Sequence, residues 1–200
     1  MSYMAKGSVS IRELQQNLKR VIARVEKGET VDVTRRVGRR HRGPRRAVTT
    51  SVDSSALLPI YVPEHFSTSA HAAVRAAAQV PFTAIHELEV RNAFELLAGR
   101  QLITRQECGA IQQQLRNDLE NQRLVPTSLD LDEVFTQASE LSRLYTAKYL
   151  ARSLDLLHVA AAHAAMCKTF VSADDRQLAV AKASGLNVMD IKRRPRRPKR

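Results

Sequence analysis

Four carboxylates stand where strand patterns give way to helix patterns, and their type and spacing suit the holding of a cation. Asp53 lies in "VDSSALL", between a valine and two serines that open into an apolar run, and Asp174 lies in "FVSADD". Glu89 falls in the first turns of "HELEVRNAFELLAG", and Asp155 in the first turn of "SLDLLHVAAAHAA". An acid at a strand end is expected to be at least half buried, where an unpaired charge is costly unless a partner or a metal compensates it. Carboxylates packed together without a cation repel, so that one takes up a proton, whereas Mg²⁺ or Mn²⁺ prefers such hard oxygen ligands. The plainer reading is that these acids cap helices or complement helix dipoles. Spacing alone leaves both readings open.

The elements that must position these acids alternate between strand and helix over residues 50–191. "SVDSSALLPIY" reads as a strand followed by a turn, "QVPFTAI" as a second strand, and "HELEVRNAFELLAG" as a helix closed by Gly99. Thr104 and Glu107 form a capping box for the helix "TRQECGAIQQQLRNDLEN", and "RLVPTSL" is a brief strand. Two helices follow in "LDEVFTQASELSRLYTAKYL" and "SLDLLHVAAAHAAM", then strand "TFVSADD", helix "RQLAVAKASG" and strand "NVMDI". This alternation predicts an α/β fold with a mostly parallel sheet covered on both faces. In such folds ligands gather at the carboxyl ends of the strands, where Asp53 and Asp174 stand.

Composition limits the wider possibilities. A chain of 200 residues with 44% hydrophobic content suffices for one globular domain and a small extra module. The net charge of +12 is concentrated: "RRVGRRHRGPRR" (35–46) holds seven arginines and "KRRPRRPKR" (192–200) seven Lys/Arg, with no acids in either. Residues 47–191 carry 12 Lys/Arg against 16 Asp/Glu, a net of −4. The basic runs read as solvated segments whose functional use would be sequence-independent attraction to phosphate. Cys108 and Cys167, 59 positions apart with no CxxC pair, read as reduced thiols of a cytoplasmic protein. The longest apolar stretch, "LLHVAAAHAAM", is too short for a membrane span. No GxGxxG, P-loop or Ser/His/Asp arrangement is present.

Residues 1–34 form a module of their own. Ser10 and Glu13 make a capping box; Ile11, Leu14, Leu18, Val21, Ile22 and Val25 share a helical face; Gly28 supplies the stop, and "TVDVT" alternates as a strand. So small a unit cannot bury its own apolar stripe and is expected to pair with a second copy, making a homodimer.

In order and spacing, "VDSSALLPIYVPE", "TAIHELEVRNAF", "SLDLLHVAAA" and "FVSADDRQLAVAKASGLNV" resemble the motifs of PIN-domain ribonucleases of the VapC toxin type, over residues 50–191. The resemblance implies a PIN-like three-layer α/β/α fold, an Mg²⁺ or Mn²⁺ site formed by Asp53, Glu89, Asp155 and Asp174, and a Ser55 that orients the first acid by hydrogen bonding. Glu87 and Asp175 lie next to the chosen acids; Glu89 is preferred because it opens "EVRNA", and Asp174 because it directly follows "FVSA". His158, one turn from Asp155, reads either as its hydrogen-bonding partner or, more commonly for an alanine-rich helix, as a packed core histidine. Arg91 and Asn92 suit contact with RNA phosphate or a solvated helix face.

The stretch "GSVSIRELQQNLKRVIARVEKGETVDVTRR" resembles the start of Phd/YefM-type antitoxins, a family of DNA-binding dimers, and stops abruptly at Arg36. The chain therefore divides into a truncated, small α+β antitoxin-like segment (1–34), an Arg-rich linker (35–49), a PIN-like nuclease domain (50–191) and a basic tail (192–200). Two neighbouring reading frames joined by a frameshift would account for the junction. The reading is a metal-dependent endoribonuclease, the toxin of a type II toxin–antitoxin system, with RNA as substrate and a cognate antitoxin as partner. The alternative is a DNA-binding regulator that works through its N-terminal segment and carries an inert nuclease domain.

Overall fold

The computed structural model describes residues 7–10, 18–29, 31–34, 50–77 and 80–193. The chain divides into two compact units, Met1–Arg46 and Ala47–Arg200. In the first, β1 (Gly7–Ser10) pairs in parallel with β2 (Val31–Thr34), and α1 (Leu18–Glu26) lies between them in sequence. Gly28, at φ +85°, follows the helix as expected. On α1, Val21 is buried while Ile22 and Val25 remain exposed. Strand β1 ends at Ser10, and residues 11–17, with Glu13 of the expected capping box, lie outside the described residues, as does the linker 35–49.

The second unit is built on short parallel strands. Strand β3 (Thr50–Val52) pairs with β6 (Thr169–Ser172), which pairs with β7 (Asn187–Asp190), and β4 (Val80–Phe82) pairs with β5 (Leu124–Pro126). Strand β3 also lies against β4. Seven helices cover these strands: α2 (Ser54–Tyr61), α3 (Ser67–Ala76), α4 (Ala84–Gly99), α5 (Arg105–Glu120), α6 (Leu131–Tyr149), α7 (Ser153–Ala164) and α8 (Asp175–Ala183).

Adjacent residues of β6 show why the arrangement has three layers. Side chains alternate across a strand. Val171 joins a core with Val52, Leu57, Val80, Val90, Phe94, Leu115 and Leu124, under α2–α5. Its neighbour Phe170 joins another with Val134, Leu141, Leu156, Val159, Val180 and Leu186, under α6–α8. Burial on both faces explains the continuous apolar runs "VPF" and "FV" in place of polar alternation.

Two local expectations are corrected. After β3 the chain enters helix α2 rather than a turn, even though Pro59 lies inside it, because Asp53 caps its start and Ala56, Leu57 and Tyr61 anchor it in the core. The second strand is shorter than "QVPFTAI", because Thr83 and His86 cap α4 at that point. Helix α4 ends at Gly99 as expected, and the left-handed position after it belongs to Gln101, at φ +57°. Helix α3 was not legible at all. The Thr104–Glu107 capping box is present, with Glu107 N–H donating to Thr104 Oγ1 at 3.1 Å and Thr104 N–H donating to Glu107 Oε2 at 2.7 Å.

Candidate active site

At the carboxyl ends of β3 and β6 lies a cavity of about 590 Å³. Asp53, Glu89 and Asp174 line it together with Ser54, Ser55, Asn92 and Gln177, and leucines 58, 88, 96 and 154 make its apolar part. Asp53 follows β3 directly and its backbone N–H donates to Val171 at 3.0 Å, so the sheet itself fixes its place. Asp53 is 1% exposed, and its carboxylate accepts from three protein donors. The Ser55 hydroxyl hydrogen is shared between Oδ1 at 2.9 Å and Oδ2 at 3.0 Å, Oδ1 also accepts from Ala56 N–H at 3.1 Å, and Oδ2 accepts from Ser172 Oγ at 3.1 Å. Burial nevertheless dominates and pushes its pKa up to about 6, against the opposing pull of His158 and of these hydrogen bonds. Ser55 thus touches Asp53 as the resemblance implies. It also accepts Ala173 N–H at 2.9 Å, which ties α2 to the end of β6.

Glu89 reaches the cavity from α4. Its Oε2 accepts from Ser54 Oγ at 2.7 Å and meets Nε2 of the fully buried His158. Burial raises its pKa, but the His158 and Ser54 contacts outweigh burial and hold it below the usual glutamate value. Asp174 caps α8: Oδ1 accepts from Arg176 N–H at 2.8 Å and Gln177 N–H at 3.3 Å, and Oδ2 pairs with Arg176 Nη2 at 3.2 Å. These contacts outweigh partial burial and keep its carboxyl acidic. Asp155 is buried and does not open onto the cavity. It accepts from Arg152 N–H at 2.7 Å and Gln177 Nε2 at 3.1 Å, capping α7 and holding the glutamine that lines the cavity.

The remaining candidates separate cleanly. Glu87 pairs with Arg91 at 3.0 Å on an exposed face and Asp175 pairs with Lys192 at 2.8 Å; neither lines the cavity, whereas Asn92 does. His158 bonds Glu89 rather than Asp155, and its ring stacks edge-on against the buried His86, centroids 4.8 Å apart. Among the described residues, His86 Nε2 and His158 Nδ1 are buried with no hydrogen-bond partner. Both cysteines are buried free thiols. Sequence reasoning missed Ser54, Ser172, Gln177 and the leucine rim. The 88, 92, 96 and 89, 93 spacings on α4 were the available signal for one cavity-facing stripe.

The donor chemistry suits a hard divalent cation, since three carboxylates face one cavity. Their present orientations do not close around one: among the described residues no three His, Cys, Asp or Glu stand close enough together to hold an ion. Each acid is turned onto protein donors instead.

No family model matches the chain, and no curated protein matches it. Among solved structures, the chain is similar to the crystal structure of FitAcB from Neisseria gonorrhoeae, with a TM-score of 0.50 and 15% identity over 72% of this chain and 99% of that one. A likeness at that identity speaks to architecture, and the architecture is the PIN-like α/β/α fold with parallel strands.

Proposed function

We propose that the domain over residues 50–191 is a divalent-metal-dependent endoribonuclease, the toxin of a toxin–antitoxin pair. The observation that carries the reading is the single cavity at the strand carboxyl ends onto which Asp53, Glu89 and Asp174 open, in a chain whose motifs around those acids resemble VapC-type PIN ribonucleases. Those three carboxylates would hold Mg²⁺ or Mn²⁺, with Asp155 supporting them through Gln177. When bound, such an ion supplies activation of a water and charge stabilisation at the scissile phosphate. The chain's own residues do the positioning. Ser55 and Ser172 lock the Asp53 carboxylate, and Ser54 and His158 occupy one oxygen of Glu89, leaving Oε1 for the cavity. Asn92 and Gln177 line the wall with amide groups suited to phosphate or ribose hydroxyl. The exposed leucines 88, 96 and 154 beside the acids fit the apolar side chains of an antitoxin.

Incubating the full-length chain with single-stranded RNA tests the reading. Cleavage should need Mg²⁺ or Mn²⁺, stop with a chelator, and fall by about a hundredfold or more in Asp53→Asn, whose Mg²⁺-induced thermal shift should shrink as well. A folded Asp53→Asn protein that cleaves undiminished rules the site out. One observation favours a second reading: all four acids already satisfy protein donors. Under that reading the domain is an inert platform and the N-terminal segment a DNA-binding regulator, so wild type would neither shift with Mg²⁺ nor cleave RNA.

A further inference from the structure

The side-chain amide of Gln177 is only half used. The residue stands in the first turn of α8 and is 6% exposed; its backbone N–H donates to Asp174 Oδ1 at 3.3 Å, and it lines the cavity. Its Nε2 donates to Asp155 Oδ1 at 3.1 Å. An ionised carboxylate only accepts, so the amide nitrogen must face Asp155 and the oxygen must face away from it. Among the described residues, Gln177 Oε1 is the only buried side-chain oxygen with no hydrogen-bond partner. A buried acceptor left unpaired costs free energy, and such a group in a folded domain points to a partner that arrives from outside. The neighbouring hydroxyls are already committed: Ser54 donates to Glu89 at 2.7 Å, and the Ser55 hydrogen is shared across the Asp53 carboxylate. What the cavity lacks is a donor for Oε1. The last torsion of a glutamine side chain is broad, so the oxygen can turn toward a ligand that enters.

We infer that Gln177 reads the sugar of the substrate: its Oε1 accepts the 2′-hydroxyl of the ribose beside the scissile phosphate, so that RNA is preferred to DNA. This rests on the ribonuclease reading and deepens it by naming the residue that tells one polynucleotide from the other. Phosphate oxygens are acceptors and cannot satisfy Oε1. Base donors differ from one base to the next, whereas the 2′-hydroxyl recurs at every ribonucleotide, donates, and is absent from DNA. It sits on the carbon next to the one that bears the 3′-phosphate, so a phosphate held beside Asp53, Glu89 and Asp174 carries it into the same cavity of about 590 Å³. The backbone bond from Gln177 to Asp174 fixes the amide beside that acid, and Asp155 fixes which of its ends is free.

The test uses the full-length chain with Ca²⁺ in place of Mg²⁺, so that binding is read ahead of cleavage. One short labelled sequence is made as RNA, as DNA and as 2′-fluoro RNA, whose fluorine cannot donate. Wild type should bind the RNA about tenfold more tightly than either of the others. Gln177→Met, close to glutamine in size but without the acceptor, should lose that preference and bind all three alike. The double variant Asp155→Asn with Gln177→Glu exchanges the donor and acceptor ends of the pair, keeps an oxygen for the ligand, and should bring the preference back. Equal binding of RNA and 2′-fluoro RNA by wild type, or a preference that survives in folded Gln177→Met, would overturn the inference. So would a Gln177→Met protein that weakens on all three ligands equally and loses part of its Mg²⁺-induced thermal shift, which would assign Oε1 to a metal-bound water. The 2′-fluoro comparison needs no variant, so it decides even where Gln177→Met does not fold. In Mg²⁺, a wild type that binds RNA with the 2′-hydroxyl preference yet cuts none of it would sink the ribonuclease reading and leave the inference standing. One that cuts RNA while binding it no better than 2′-fluoro RNA would sink the inference alone.

Discussion

The buried carboxyl of Asp53 and the buried imidazole of His86 make folding depend on pH in opposite senses. Burial, then the neighbouring His158, lowers the His86 pKa from 6.5 to about 3, so between those values the unfolded chain binds the extra proton and stability is lost as pH falls. Asp53 is raised from 3.8 to about 6, so between about 4 and 6 the folded chain binds the extra proton and stability is lost as pH rises. The ceilings are about 5 kcal/mol for His86 and about 3 kcal/mol for Asp53. The two offset each other over the shared window, so the metal-free protein should show a shallow profile there. Asp53→Asn should expose the His86 slope, gaining stability steadily from about pH 4 to 6.5, whereas His86→Asn should reverse it. Urea titrations at half-unit steps read these slopes, and two variants that both keep the wild-type profile would mean that neither charge is buried as described.

At the scale of elements, the two readings open in the sequence turn out to share the same atoms. Asp53 caps α2, Asp174 caps α8 and Asp155 caps α7, yet Asp53 and Asp174 also face the cavity. A conservative substitution separates the roles. Asn caps nearly as well as Asp, and the half-exposed Arg176 pair is worth no more than about 1 kcal/mol. Asp174→Asn should therefore melt within a few degrees of wild type while RNA cleavage falls about tenfold or more. Gly185→Ala, strained at φ +97° after α8, should do the reverse, costing about 1 kcal/mol and leaving cleavage intact. Loss of stability and cleavage in step at Asp174 would reduce its role to the cap. The strand–helix alternation and the strand-end acids were legible because buried parallel strands read as apolar runs and acids at element boundaries stand out. Helix α3 was not, because it buries only Ala70 and Ala73 and has no side-chain cap. The histidine pair was hidden for another reason: His86 and His158 are 72 positions apart in sequence and meet only because α4 and α7 flank the same cavity.

Across the whole molecule, charge and core are assigned to different parts of the chain. Apart from Val21, every described buried hydrophobic residue lies between Val52 and Ile191, and both core clusters are complete within that range. The two compact units divide at Arg46. The described part of the N-terminal unit is a nine-residue helix with exposed Ile22 and Val25 and two four-residue strands, and neither core cluster draws on it. The larger unit should then owe it nothing. Residues 47–200 expressed alone should unfold in urea as one cooperative transition, with the midpoint and slope of the main transition of the full chain. Since the cavity lies within this fragment, its metal-dependent RNA cleavage should also stay within about twofold of the full chain. A midpoint lowered by the equivalent of about 1 kcal/mol or more would show that residues 1–46 contribute to the fold of the domain, and cleavage that disappears with them would count against a self-contained site in the larger unit.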